Sequence, residues 1–262
     1  MKLTAEAADR VRRVPPGVVV LVYHRVGGGS VLDIDLPRAA FRDQAEALAA
    51  SGRVVPIDLA IQILRGRKRP GFDPVVVTFD DGTADFVDEA LPVVVKFGLP
   101  VTLYVATDYV ERRRPFPHEG RPVSWPALAD AVDTGLLTVG SHTHTHALLD
   151  RVTPEEARAE LDRSIALIED RLGVTPAHFA YPKAVLGTIA AQQEVRERFE
   201  SAALGGTRAN RYGKTDVHRL ARSPIQVSDG RRWFERKVGG GMALEDDLRR
   251  LVARRRYAGA TT

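Results

Sequence analysis

The chain contains no cysteine in 262 residues. That excludes disulfides, a thiolate nucleophile and cysteine-held zinc, and it leaves any metal to His, Asp and Glu. There is no Gly-x-Ser-x-Gly elbow either, so a serine hydrolase of the α/β type is not indicated. No apolar run approaches the roughly 20 residues that a bilayer requires. The segment Val18–Val22 is short and ends in Tyr23-His24, so no transmembrane segment is expected. Met1–Arg13 is charged throughout and lacks the apolar centre of a signal peptide, which makes a cytoplasmic protein the expectation. The arginine clusters at 112–114, 249–250 and 254–256 have no aromatic interleaving. With a formal charge of only +4 they read as solvated faces, and nucleic acid is not an expected partner. Nothing in the sequence fixes an oligomeric state.

What remains has the balance of a protein with a substantial core, 44% hydrophobic and 27% charged, and its length suits one large α/β domain. Short β-branched runs alternate with helical patterns, as in βα units around a parallel sheet. Strands are predicted at Val18–Val22, Val75–Phe79, Val101–Val105, Leu136–Val139, His178–Tyr181 and Leu220–Val227. Helices are predicted at Phe41–Ala50, at Leu59–Leu64 capped by Asp58, and at Ala84–Phe97 with a break near Pro92. Another starts at the capping box Thr153-Pro154-Glu155-Glu156 and stops at Gly173. Glu111–Pro122 has three prolines and no periodicity and reads as a loop, either a substrate wall or a disordered insertion.

The polar groups with chemistry fall just after predicted strands: His24, Asp80 and Asp81, His142, His144 and His146, and Tyr181. In parallel α/β folds that rim is where catalytic groups collect. Histidines four apart meet on a helical turn and histidines two apart share one face of an extended segment, so His142-Thr143-His144-Thr145-His146 can present two imidazoles to one metal either way. Asp80-Asp81 would add a carboxylate. Two His and one carboxylate form a common catalytic zinc set with a position left for water. Strand alternation would turn one Asp to the metal and the other to the substrate.

Thr78-Phe79-Asp80-Asp81-Gly82 and Gly140-Ser141-His142-Thr143-His144-Thr145-His146 together resemble the TFDDG and H-[ST]-x-x-H motifs of the polysaccharide deacetylase superfamily (NodB homology, carbohydrate esterase family 4). The resemblance runs from about Val18 to Val227 and leaves a basic C-terminal tail in a single-domain chain. It implies an α/β fold, a distorted and incomplete (β/α) barrel, with Asp81, His142 and His146 as metal ligands and Asp80 as general base. His144 stands at a variable position and is not carried over. Tyr23-His24-Arg25-Val26 resembles the start of a circularly permuted branch that includes poly-N-acetylglucosamine deacetylases, which implies His24 as general acid. No late histidine motif competes, His218 being the alternative. Phe179-Ala180-Tyr181-Pro182-Lys183 is similar to that branch's third motif but has Ala180 where other members carry an arginine that orients the catalytic Asp. Tyr181 and Lys183 are the substrate or oxyanion candidates, the latter contact being a backbone N–H. The implied cofactor is one divalent ion, zinc first, with Co, Ni or Fe accepted by the same set. The implied activity is removal of acetyl from an N-acetylated carbohydrate. The alternatives are O-acetyl ester or other C–N bond hydrolysis on the same fold, or an inactive carbohydrate-binding or basic surface-binding protein.

Overall fold

A computed structural model describes residues 2–3, 14–66 and 70–246. The predicted basic tail, with its arginines at 249–250 and 254–256, and the charged stretch 4–13 lie outside the described residues. In chain order the strands are β1 (Gly17–Tyr23), β2 (Arg25–Val26), β3 (Asp35–Leu36), β4 (Val75–Phe79), β5 (Val101–Val105), β6 (Leu137–Ser141), β7 (His178–Ala180), β8 (Ser201–Ala203), β9 (Asn210–Arg211) and β10 (Ser223–Pro224). The α-helices are α1 (Arg38–Ala50), α2 (Ile57–Arg65), α3 (Leu91–Phe97), α4 (Thr107–Glu111), α5 (Trp125–Asp133), α6 (Pro154–Leu172), α7 (Ile189–Arg198) and α8 (Gly230–Val238).

The main sheet has the order β10-β1-β4-β5-β6-β7-β8, every neighbouring pair parallel, and β9 adds antiparallel to the start of β1. It is strongly curled into a half-barrel. The gap between β8 and β1 is spanned by the thin strip 220–224: Leu220 N–H donates to Ala202 O, Leu204 N–H donates to Leu220 O, and Ser223 pairs with Leu21. Pro224 has no N–H to extend that ladder and Val227–Asp229 turns into a 3-10 helix, so the predicted strand over Leu220–Val227 shrinks to β10.

Strand alternation divides the core in two. Val19, Leu21, Val75, Val77, Val101, Leu103 and Val139 face outward and pack under α1, α3, α5 and α6. Val18, Val20, Val76, Tyr104, Ala180 and Ala203 face the barrel interior, which Ile57, Ala60, Ile61 and Leu64 of α2 plug from below. Both faces of the sheet are covered, which is why its strands read as continuous apolar runs. Asp58 is not the cap of that helix. α2 begins at Ile57 behind Pro56, and the Asp58 carboxylate instead pairs with Nε2 of buried His178 at 2.9 Å. Pro92 interrupts helix 84–97 as expected: one π turn (Phe86–Ala90) precedes α3, and Pro92 occupies the first turn of the new helix. Thr153 makes both bonds of its capping box and Gly173 closes α6 with a left-handed φ of 67°.

The loop after α4 is anchored. Phe116 is buried with its ring stacked on Tyr109 at 4.2 Å, Phe116 N–H donates to Gly120 O, and Ala84 N–H donates to Arg121 O. Helices α4, α5, α7 and α8 go beyond those the sequence pattern predicts. Ser124 caps α5 and Thr188 caps α7, but α7 is largely polar and offers little periodicity to read. No helix among the described residues is long and apolar enough to cross a membrane.

Candidate metal and catalytic site

Parity along the strands decides which motif residues reach the barrel mouth. Asp80, His142 and Arg222 continue the inward positions of β4, β6 and the strip leading to β10, and His24 continues those of β1. Asp81 would point outward if the strand ran on. It adopts a left-handed φ of 74°, followed by Gly82 at 96°, and this turn brings its carboxylate back to the mouth. Ala106 N–H on Asp81 O and Val123 N–H on Gly82 O hold the turn. The two neighbouring carboxylates therefore converge through a backbone reversal, a correction to the strand-alternation argument.

The five-residue histidine segment is neither helical nor extended. Thr143 and His146 both have positive φ, 61° and 63°, and Asp108 N–H holds His144 O at 2.8 Å. The kinks send His144 away from its neighbours: Nδ1 meets Thr107 Oγ1 at 2.9 Å and Nε2 lies 3.6 Å from Asp108 Oδ1. His142 and His146 turn inward with ring centroids 4.9 Å apart. Asp81 Oδ1 sits 3.6 Å from His142 Nε2 and 3.5 Å from His146 Nε2. One ligand atom from each of these three residues lies within 4.8 Å of the others. Tetrahedral ligands about 2.0–2.1 Å from zinc are about 3.4 Å apart, so the donor set fits a divalent metal. His142 Nδ1 donates to Ala180 O at 2.7 Å, which fixes the tautomer that leaves Nε2 its lone pair. Burial, helped by His142, pushes His146 down to about 4, so its imidazole is neutral and able to ligate near neutral pH. His144→Ala should therefore keep full metal content and cost about 1–3 kcal/mol of stability through the buried partners it leaves; metal analysis and a melting curve check this.

Asp80 is buried and its carboxylate lies 3.9 Å from His142 Nε2. Its principal partner is Arg222, absent from the sequence-based site. The guanidinium donates Nη1 to Oδ1 at 2.5 Å and Nη2 to Oδ2 at 2.8 Å, gives Nε to Leu204 O at 3.2 Å, and lies over the Tyr104 ring at 5.2 Å. Burial alone would raise the Asp80 carboxyl, but Arg222, with His142 and His24 adding, holds it down at about 2. The arginine missing at Ala180 is thus supplied from the strip before β10. No sequence pattern marks it, because Arg222 stands between Ala221 and Ser223 in a mixed stretch and its partner lies 142 residues away in the chain.

The third motif is corrected in part. Tyr181 follows outward parity: its ring packs on Phe179 in the outer layer, and its N–H is taken by Ala203 O at 3.0 Å, so neither group is available to a substrate. Lys183 is exposed, with a left-handed φ of 52° behind Pro182, and its N–H has no partner among the described residues. His24 lies beyond β1 where Asp80 N–H meets Tyr23 O at 3.1 Å, and its Nδ1 is buried without a hydrogen-bond partner. His218 stands elsewhere, its Nε2 on Phe199 O at 2.8 Å and its Nδ1 beside Arg196.

The family described as polysaccharide deacetylase matches residues 67–197, half of the chain, including both the aspartate pair and the histidine segment. YxkH of Bacillus subtilis (strain 168), which carries the same family name, is 22% identical over 214 residues, covering 80% of this chain and 73% of that protein. Among solved structures, IcaB from Ammonifex degensii superposes with a TM-score of 0.74 at 25% identity over 86% of this chain and 98% of that one. The Streptococcus pyogenes deacetylase PplD has the same TM-score at 18% identity over 86% and 99%, a likeness of fold. With motif residues gathered at one rim and half the chain matched, this protein belongs to the polysaccharide deacetylase family.

Proposed function

We propose that the protein is a metal-dependent N-deacetylase acting on an N-acetylated carbohydrate. The observation that carries this reading is the meeting, at one barrel mouth, of the Asp81, His142 and His146 set with a carboxylate clamped by Arg222. A divalent ion held by those three residues would polarise an acetamide carbonyl and lower the pKa of water toward roughly 7. Asp80, ionised and oriented, accepts the proton of the attacking water. The free N–H of Lys183 is the donor for the oxyanion, a role that needs backbone and not side chain. His24 gives a proton to the departing amine. In this reading the acid comes from the first strand and the base from a later one, the permuted order that Tyr23-His24 implies.

An acid favours the amide over the ester, because an amine leaves only when protonated while an alkoxide needs less help. Acetate release from matched N-acetylated and O-acetylated sugars tests the reading; activity confined to the ester would overturn it. His24→Ala should lower amide turnover about 10²–10⁴-fold with metal content and folding unchanged. An activated ester should suffer far less. Equal losses on both substrates would take the acid role from His24, since damage to the fold would strike both alike.

A further inference from the structure

One side of the barrel interior is built from very small residues. Gly140 of β6 stands in register with Tyr104 of β5, and Ala180 of β7 and Ala203 of β8 share a buried cluster with Tyr104. The Tyr104 ring lies across Gly140. A Cβ added there would fall 2.6 Å from the ring's Cδ1, 2.8 Å from its Cε1 and 2.8 Å from His178 O. Glycine is what admits the ring at so close an approach. The ring in turn meets the buried Arg222, whose Cζ stands over its face at 5.2 Å. The Tyr104 hydroxyl is buried with no hydrogen-bond partner among the described residues, although an interior tyrosine ordinarily finds one. Burial pushes the phenol above its ordinary value, so it stays protonated and serves as neither acid nor base. Being wholly enclosed, it does not reach a substrate either. What this residue offers its surroundings is a ring facing a cation.

Arg222 makes its polar contacts along the rim of the guanidinium. Nη1 and Nη2 go to Asp80, Nη1 also lies 3.4 Å from Thr78 Oγ1, and Nε goes to Leu204 O. Such bonds orient the fork, while a wall against the body of the group resists the swing that would carry fork and carboxylate off line together. An aromatic face does more than fill that place. Its quadrupole attracts a cation within about 6 Å of the centroid, most strongly where water is excluded. An aliphatic side chain would supply bulk without the attraction. We propose that Tyr104 is a positioning residue: its ring, seated across Gly140, holds the Arg222 guanidinium and through it the Asp80 carboxylate in line for the attacking water. The proposal rests on the deacetylase reading for the task of Asp80 and on the buried ring–cation contact for the positioning.

Tyr104 is to be replaced by Phe, by Leu and by progressively fluorinated phenylalanines, which drain the ring's quadrupole at nearly constant shape. Acetate release from an N-acetylated sugar, metal content and denaturant midpoint are measured on each. Tyr104→Phe should stay within about twofold of native in kcat, because the ring is the part that acts. Tyr104→Leu should lose about 3–30-fold in kcat, the range one buried cation–ring contact supplies, with KM nearly unchanged and the divalent ion retained. Along the fluorinated series kcat should fall step by step toward the Leu value. A ring that served only as packing would leave kcat level along that series, and this result would overturn the proposal. Native kcat in Tyr104→Leu, or a loss carried by KM alone, would overturn it too. If Tyr104→Leu fails to fold, the fluorinated series decides by itself, since those rings fit the native space. The midpoints need no substrate. They should fall with fluorination relative to the same series built on Arg222→Met, which has no cation to lose. That fall in a protein that deacetylates no sugar would sink the deacetylase reading and leave the ring–cation contact standing. Parallel midpoints in the two series overturn the contact whatever the activity.

Discussion

His142→Ala and His146→Ala should each yield a folded protein that retains no divalent ion and releases acetate only at background. Chelation should do the same to the unaltered enzyme, with activity restored on adding metal back. The expectation is large because the set is minimal: two imidazole nitrogens and one carboxylate oxygen lie within 4.8 Å of one another, and removing one leaves two ligands. His146 is poised for ligation, since burial has already driven its pKa down to about 4 and metal has little proton competition at neutrality. A readout independent of turnover is thermal stability. Metal that binds only the folded state raises Tm with concentration, and the rise should vanish in both variants while persisting in His144→Ala. Full metal and full turnover in either variant would dissolve the site. The same titration run with Zn, Co, Ni and Fe addresses the metal's identity, because an N₂O set accepts all four.

Much of this site is legible in the amino-acid sequence. Continuous β-branched runs mark buried parallel strands, and the strand-end positions of His24, Asp80 and His142 follow from them. Legibility fails where the backbone leaves regular geometry. Asp81 reaches the site through a φ of 74°, and the histidine segment sorts its three rings through kinks at Thr143 and His146. Neither alternation nor helical spacing describes such a turn, so the separation of His144 from its neighbours rests on family resemblance. Left-handed non-glycine residues cost about 1–3 kcal/mol each and persist where surroundings hold them; here Asp81, Thr143, His146 and Lys183 cluster about one mouth. Tyr181 departs from expectation for a different reason. It lies one residue past β7, and outward parity continues through it into the α6 and α7 layer. Arg222 escapes a sequence reading because its partner is 142 residues away in the chain, a pairing made only when the strip before β10 closes the gap in the barrel.

Asp80→Asn should hold metal yet lose about 10²–10⁴-fold in turnover, the usual consequence of deleting a general base. Asparagine keeps the shape and one acceptor for the Arg222 fork but cannot accept the water proton. It also leaves the buried guanidinium without its counter-charge, a loss on the order of 3–5 kcal/mol, so stability must be followed alongside rate. Arg222→Met makes the complementary change. In the native site Asp80 sits at about 2 and is ionised throughout any working range, so the acid limb of the kcat/KM profile belongs to other groups. Without Arg222, burial is less opposed and the Asp80 pKa rises. Activity requires the ionised base, so its loss on acidification should then begin at a higher pH than in the native enzyme. The stability argument has the matching sign: a depressed folded pKa contributes about 2 kcal/mol that is present above the unfolded value near 4 and disappears as pH falls through about 2. A shifted acid limb in Arg222→Met together with metal-replete, folded but inactive Asp80→Asn would assign base and positioning residue at once. Turnover of Asp80→Asn within about tenfold of native would remove Asp80 from the reaction, and loss of metal in that variant would place it among the ligands in exchange for Asp81.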